Sequence, residues 1–207
     1  MSSAAANNTT MRDRLRDIVA KKSLSIGPEV TLASGATSRF YFNMKPTMFD
    51  AEGASLISNL ILDAIADDEP YYDYVGGMEI GAIPIVSSIG LRSWQRSQAI
   101  TGFFVRKQAK DHGAKRQVEG DLSPGANVLI VEDVTTTGGS SLKAVHAVRE
   151  LGCKVRKVVT LVDRLEGADS AFSAEGIDLV PLLTANDFNI SAGNLVPFEQ
   201  SELGISR

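Results

Sequence analysis

Residues 128–140 constrain the fold of this chain more than any other stretch. They read Val-Leu-Ile-Val-Glu-Asp-Val-Thr-Thr-Thr-Gly-Gly-Ser, an apolar run that ends in two carboxylates and continues into a loop of hydroxyl and glycine residues. A helical pattern follows, so the stretch predicts a buried strand, a turn and a helix N-terminus. Such an arrangement suits a sugar phosphate, because loop amides attract phosphate and carboxylates accept hydrogen bonds from ribose hydroxyls.

Simpler explanations account for this stretch less well. A helix cap needs one hydroxyl, whereas residues 135–140 supply four. Glu132 and Asp133 would repel each other unless a ligand or metal offsets their charge. The Walker phosphate loop is excluded because no Gly-Lys-Ser/Thr follows, and the dinucleotide fingerprint Gly-x-Gly-x-x-Gly is absent.

Strand and helix patterns alternate through the middle of the chain. Alternation of this kind predicts an α/β fold with a central, mostly parallel sheet flanked by helices. The predicted strands are Tyr74–Met78, Ile100–Val105, 127–133, Val155–Val162 and Ile177–Leu183, and the predicted helices between them are Pro84–Arg96, Ser141–Leu151 and 168–175.

The two ends of the chain do not continue this alternation. Residues 11–22 and about 51–66 predict helices, residues 23–49 are irregular, and residues 1–10 predict a disordered tail. We expect about 11–50 and 184–207 to form a small hood over the carboxyl ends of the strands, where open α/β sheets bind ligands. The whole chain, 1–207, is predicted to be a single domain.

Composition excludes several classes of function. A net charge of −4 gives no support to nucleic-acid binding. No apolar run reaches the roughly 18–20 residues that span a bilayer, so no membrane association is expected. Cys153 is the only cysteine, which excludes an internal disulfide and fits a reducing compartment. The predicted location is the cytoplasm.

A second constellation lies in residues 106–120. This stretch is rich in cations, contains a histidine and lacks apolar periodicity, which predicts a surface loop between two strands. A solvated charged loop is the simpler interpretation. However, Arg106 and Lys107 directly follow a predicted buried strand, which places them at the ligand edge of the sheet.

The two constellations together resemble a known family. Residues 128–140 resemble the 5-phosphoribosyl 1-diphosphate (PRPP) signature of the type I phosphoribosyltransferases, which does not identify the nucleobase. The run from Arg106 to Gly113 resembles the catalytic loop of the orotate phosphoribosyltransferases, Arg-Lys-x-x-Lys-x-His-Gly. The segment from Thr31 to Asn43 and the triplet Val162-Asp163-Arg164 resemble that family's orotate-binding elements.

The resemblance implies a type I phosphoribosyltransferase fold and transfer of phosphoribose from PRPP to N1 of orotate. It implies Mg²⁺ as cofactor, held mainly by PRPP with no protein side chain as metal ligand, and a homodimer with shared active sites. The implied catalytic residues are Lys110, His112 and Asp133, and the implied orotate-binding residues are Tyr41, Phe42, Thr136 and Arg164. The implied PRPP-binding residues are Arg106, Lys107, Lys110, His112, Glu132, Asp133, Val134, Thr135, Thr136, Thr137, Gly138, Gly139 and Ser140.

The sequence departs from the family's motifs at two points, and two other functions are alternatives to orotate phosphoribosyl transfer. Ala33 stands where many family members have lysine, and the turn at 76–81 contains Glu79 but no lysine. One alternative is a phosphoribosyltransferase for another nucleobase, which would not explain the Lys110-to-Gly113 run or Arg164. The other is a non-catalytic PRPP-sensing regulator, which would usually carry a basic nucleic-acid surface that this chain lacks.

Overall fold

The architecture follows from a computed structural model, which describes residues 3–31, 37–108, 117–191 and 194–195. The helices are α1 (Ser3–Lys22), α2 (Lys45–Met48), α3 (Ala51–Ala64), α4 (Ala82–Gln95), α5 (Gly139–Glu150) and α6 (Ala168–Ala174), with a short 3-10 helix at Ala185–Phe188. The strands are β1 (Leu24–Thr31), β2 (Thr37–Phe42), β3 (Tyr74–Gly76), β4 (Thr101–Gly102), β5 (Phe104–Val105), β6 (Val118–Glu119), β7 (Asn127–Thr135), β8 (Lys154–Asp163), β9 (Asp178–Thr184), β10 (Ile190–Ser191) and β11 (Asn194–Leu195).

The central sheet contains five parallel strands in the order β4-β3-β7-β8-β9. Strand β7 lies in the middle and is buried on both faces, which explains its uninterrupted apolar run. Leu129 and Val131 pack into a core cluster with α3 and α4, whereas Val128 and Ile130 pack into a second cluster with α5. The predicted α/β fold with a parallel sheet flanked by helices is therefore confirmed.

Three local predictions differ from the structure. The first helix begins at Ser3, so residues 3–10 are helical where a disordered tail was predicted; an alanine triplet there favours helix. Strands β1 and β2 form an antiparallel hairpin in the segment predicted to be irregular. The predicted strand Ile100–Val105 is divided, because β4 pairs with β3 while β5 pairs with β6.

The N- and C-terminal segments pack against each other near the carboxyl end of β9. Arg12 on α1 donates to the Leu182 carbonyl at 2.9 Å and to the Asp187 carboxylate at 2.7 Å. The ring of Phe42 on β2 lies edge-on to Phe188, with centroids 5.2 Å apart. These contacts bring both ends of the chain to the edge of the sheet where β7 and β8 also end.

Candidate active site

Polar residues come together where β7 and β8 end. Thr135 pairs in register with Asp163, and the Arg164 amide donates to the Thr135 carbonyl at 2.9 Å. Because the strands are parallel and adjacent, the acid pair, the loop after β7 and Arg164 come to one edge of the sheet. The structure thus brings together three sequence elements that lie up to 32 residues apart (164 − 132).

The two neighbouring carboxylates lie beside different helices, yet they remain close enough to interact with each other. Glu132 lies on the α5 side, is only 7% exposed, and accepts a 2.7 Å hydrogen bond from the Ser141 hydroxyl. Burial, and secondly the charge of Asp133, raises the pKa of Glu132 to about 8. Glu132 is therefore harder to ionise than an ordinary glutamate.

Asp133 is half-buried and lies on the α4 side. Its Oδ1 accepts a hydrogen bond from the Val134 amide at 2.9 Å. A Cβ atom built on Gly81 would come within 2.6 Å of Asp133 Oδ1, so the backbone just before α4 passes directly beside this carboxylate. The absence of a side chain at residue 81 makes this close approach possible.

The loop after β7 turns sharply into α5. Gly138 has φ +83°, a left-handed conformation that favours glycine, and α5 begins at the next residue. Thr137, Gly139 and Ser140 are exposed at this turn, whereas Thr135 is buried. The Thr135 hydroxyl has no hydrogen-bond partner among the described residues. Exposed amides and hydroxyls at a helix N-terminus form a suitable anion site.

Arg164 lies at the end of β8 with its side chain buried. Its guanidinium carbon is 4.4 Å from the centre of the Phe40 ring, and one terminal nitrogen is 2.7 Å from a Glu166 carboxylate oxygen. The ring fixes the plane of the guanidinium from one side, and the carboxylate offsets its charge. A carboxylate ligand would compete with Glu166 for the same donors.

The two aromatics predicted to bind orotate lie on opposite faces of β2. Tyr41 is half exposed, whereas Phe42 is buried against Phe188. Phe42 shares its face with Phe40, so the strand presents Phe40 to Arg164. The predicted contacts of Tyr41 and Phe42 with orotate stay predictions.

The cationic loop begins at the end of β5. Arg106 lies 3.4 Å from Glu119 through one terminal nitrogen, and its buried Nε has no hydrogen-bond partner in the described part of the chain. The Lys107 side chain is exposed, and its amide donates to the Glu79 carboxylate at 3.0 Å. Glu79 therefore anchors the start of the loop. Lys110 and His112 lie outside the described residues, as does Ala33.

Sequence reasoning missed four residues that shape this site: Phe40, Glu79, Gly81 and Ser141. Phe40 could have been found by period-two alternation if residues 37–42 had been predicted as a strand. Gly81 and Ser141 carry no comparable signal, because their roles depend on which helix packs against which face of β7.

The described residues contain neither a metal-binding cluster nor a membrane-spanning helix. Among residues 3–31, 37–108, 117–191 and 194–195, no group of three His, Cys, Asp or Glu side chains could hold a metal ion. No helix in that part of the chain is long and apolar enough to cross a membrane.

A family model for the phosphoribosyl transferase domain matches residues 73–173. The matched span contains the acid pair, the loop before α5 and the end of β8. The fold and the site therefore define the class of this chain as a type I phosphoribosyltransferase.

Similarity to individual proteins shows which branch of this class the chain belongs to. The chain is 47% identical to the orotate phosphoribosyltransferase of Bradyrhizobium sp. over 186 residues, 88% of this chain and 99% of the relative. Its identity to the enzyme of Sorangium cellulosum is 42% over 190 residues, 91% and 96% of the two chains. The solved structure of the Mycobacterium tuberculosis orotate phosphoribosyltransferase in complex with PRPP is similar, with TM-score 0.72, 34% identity, and coverage of 87% and 99%. This chain belongs to the orotate phosphoribosyltransferase family.

Proposed function

We propose that this chain transfers the 5-phosphoribosyl group of PRPP to N1 of orotate, giving orotidine 5′-phosphate and diphosphate in UMP biosynthesis. The observation that carries the proposal is the convergence of the acid pair, the loop before α5 and Arg164 at one edge of the sheet. The names of its relatives and the PRPP complex of a similar enzyme support the same reaction.

The donor sugar would lie across the end of β7. The 5′-phosphate would bind the amides and hydroxyls of residues 135–140 at the start of α5, which fixes the ribose. Asp133, the more exposed carboxylate, and Glu132 would accept hydrogen bonds from the ribose hydroxyls. Cleavage of the anomeric C–O bond builds positive charge on the ribose ring, and nearby carboxylates favour that charge.

The departing diphosphate requires cations. We assign this role to Arg106, Lys107, Lys110 and His112, which follow one another along the loop that Glu79 anchors. His112 would also be able to protonate the leaving group, since an unperturbed histidine pKa permits either state near neutral pH. In this proposal a loop that covers the reacting sugar also excludes water.

Mg²⁺ fits this site through the substrate. The end of β7 carries carboxylate and hydroxyl oxygens that would hold the sugar, and a hard cation prefers phosphate and hydroxyl oxygens with few protein ligands. When bound to the diphosphate and ribose oxygens, Mg²⁺ would neutralise part of the leaving-group charge. Glu132 and Asp133 would act on the metal only through the sugar that they hold.

Arg164 would recognise the acceptor. Its guanidinium offers the planar fork that binds a carboxylate through two hydrogen bonds, which lysine cannot match. Thr136, in the loop beside it, and Tyr41 and Phe42 on β2 would complete the orotate pocket. Contacts of Phe40 and Glu166 with Arg164 keep the fork at the end of β8.

We also propose a homodimer with shared sites. Helix α4 and its surroundings expose four large apolar side chains: Trp94 is 74% exposed, Phe49 72%, Leu91 65% and Ile80 62%. An apolar face of this kind is typical of a protein–protein interface. It adjoins Glu79 and thus the start of the cationic loop. A second copy seated here would lie beside that loop, as shared sites require.

The remaining proposals concern domain organisation and location. The whole chain would form a single phosphoribosyltransferase domain in which about 11–50 and 184–207 make the hood. The contacts of Arg12 with β9 and of Phe42 with Phe188 support a hood built from both ends. We place the enzyme in the cytoplasm, where its small-molecule substrates are expected.

A spectrophotometric assay tests the proposed function. The purified chain is incubated with PRPP and Mg²⁺, and consumption of orotate is compared with consumption of adenine, hypoxanthine and uracil. We expect turnover with orotate alone. Turnover of another base without orotate turnover would favour a different phosphoribosyltransferase, and PRPP binding without turnover of any base would favour a regulator.

A further inference from the structure

Ser141 lies in the first turn of α5, and the structure gives its hydroxyl one specific partner. Ser141 Oγ donates to Glu132 Oε2 at 2.7 Å, and both residues are buried. The bond joins the helix whose N-terminus would hold the 5′-phosphate to the carboxylate that would hold the ribose.

The bond has two physical consequences for Glu132. A hydroxyl donor favours the ionised form of a carboxyl, so it opposes the effect of burial on the Glu132 pKa. A donor fixed on Oε2 also restricts rotation of the carboxylate, which leaves Oε1 as the acceptor for a ligand hydroxyl. Without this donor, the buried Glu132 carboxylate would rotate more freely. Its pKa would also rise further above the ordinary value.

We propose that Ser141 is a positioning residue of the donor-sugar site: its hydroxyl holds the Glu132 carboxylate in the orientation that accepts a ribose hydroxyl of PRPP. This inference rests on the proposed function, because it assumes that the sugar of PRPP binds at the end of β7. Ser141 acts through Glu132 and does not touch the substrate.

The first experiment measures PRPP binding by calorimetry and the steady-state constants of the full chain for Ser141→Ala. The matched control is Ser58→Ala, which removes a buried serine hydroxyl on α3 that donates to the Ser55 carbonyl. We expect Ser141→Ala to weaken PRPP binding and to lower kcat/KM for PRPP by roughly ten- to a hundredfold, the usual effect of losing a hydrogen bond to a charged group. The KM for orotate and the activity of Ser58→Ala should remain close to wild type.

A double-mutant cycle separates positioning from a merely structural role. If Ser141 acts through Glu132, then adding Ser141→Ala to Glu132→Gln should cause little further loss. Ser141→Thr, which keeps a hydroxyl, should recover part of the activity. Losses that multiply in the double variant, wild-type PRPP binding by Ser141→Ala, or an equal loss in Ser58→Ala would each overturn the inference.

Calorimetry also keeps this test distinct from that of the proposed function. A wild-type chain that binds PRPP but does not consume orotate would overturn the proposed reaction, while the effect of Ser141→Ala on PRPP binding would still decide the role of Ser141.

Discussion

The guanidinium carbon of Arg164 lies 4.4 Å from the centre of the Phe40 ring. Two segments separated by 124 residues (164 − 40) thus form one unit at the end of β8. The hairpin β1–β2, which carries Phe40, therefore contacts the residue that we assign to the acceptor. In the proposed function this contact adds Phe40 to the orotate site, beside the two aromatics that the family resemblance singles out.

Phe40→Leu should raise the KM for orotate by roughly two- to thirtyfold, the range of a cation–π contact, with a smaller effect on the KM for PRPP. The cause is loss of the surface that orients Arg164. Steady-state kinetics with each substrate varied in turn measure the change. Phe188→Leu is the control, because it shortens a buried aromatic side chain of the same cluster and should act mainly on the melting temperature. Equal changes in both KM values would contradict the assignment.

Gly81→Ala should lower turnover by at least about tenfold, since small displacements of a catalytic group are costly. The added Cβ would come within 2.6 Å of Asp133 Oδ1 and force that carboxylate to move. Gly90→Ala is a matched control in α4, where the nearest atom to a new Cβ is the Ile100 carbonyl oxygen at 4.0 Å. Wild-type turnover in Gly81→Ala would mean that the position of Asp133 is unimportant.

Lys110→Ala and His112→Ala should each reduce turnover by roughly tens- to thousandsfold, as expected for lost electrostatic or acid–base groups. The melting temperature should change little, because this stretch lacks apolar periodicity and so should contribute little packing. Lys154→Ala is the control: this exposed lysine begins β8 and so lies at the opposite edge of the sheet. A large loss of stability in either loop variant would show that the loop is structural.

Glu132 should make the ligand-free protein less stable as pH rises. Its pKa is about 8 in the folded protein, against an ordinary value of 4.5. The folded state therefore binds this proton more tightly, and the stabilisation is complete below about 4.5 and is lost as pH rises through about 8. Thermal denaturation of wild type and Glu132→Gln across this window should show a steeper decline for wild type. Parallel curves would refute the burial effect.

Trp94→Glu and Leu91→Glu should shift the protein from dimer to monomer in light scattering coupled to size-exclusion chromatography, because a charge in an apolar interface must be desolvated. Leu151→Glu, at another exposed apolar position, is the control. Mixing Lys110→Ala subunits with Asp133→Asn subunits should restore partial activity if sites are shared. A monomeric wild-type protein would contradict the proposed dimer. Absence of any recovered activity in verified mixed dimers would contradict the shared sites.

The central sheet could be predicted from sequence because its strands carry uninterrupted apolar runs and its helices carry regular apolar faces. The acid pair could be placed at the ligand edge for the same reason. The β1–β2 hairpin could not be predicted from sequence, because Gly27 and Pro28 interrupt β1. The pairing of β1 with β2 shifts register between Ile26 and Val30. Gly and Pro usually mark loops, and only tertiary contacts make this segment a strand.

The roles of Ser141 and Gly81 could not be predicted from local sequence patterns. Each is set by the helix that covers one face of β7, so it depends on three-dimensional packing and not on local pattern. The same holds for the different surroundings of Glu132 and Asp133. The two acids do interact, as the sequence suggested, but only three-dimensional packing shows that Glu132 contacts Ser141 while Asp133 lies beside Gly81.

Gly138 lies so close to the ring of Phe172 that a Cβ atom there would come within 3.1 Å of it. Phe172 is fully buried in α6, more than thirty residues further along the chain (172 − 138 = 34). The core therefore limits the position of the turn that would hold the 5′-phosphate in the proposed function. Binding energy for the donor would then not be spent on ordering that turn, because a buried aromatic side chain from another helix already supports it.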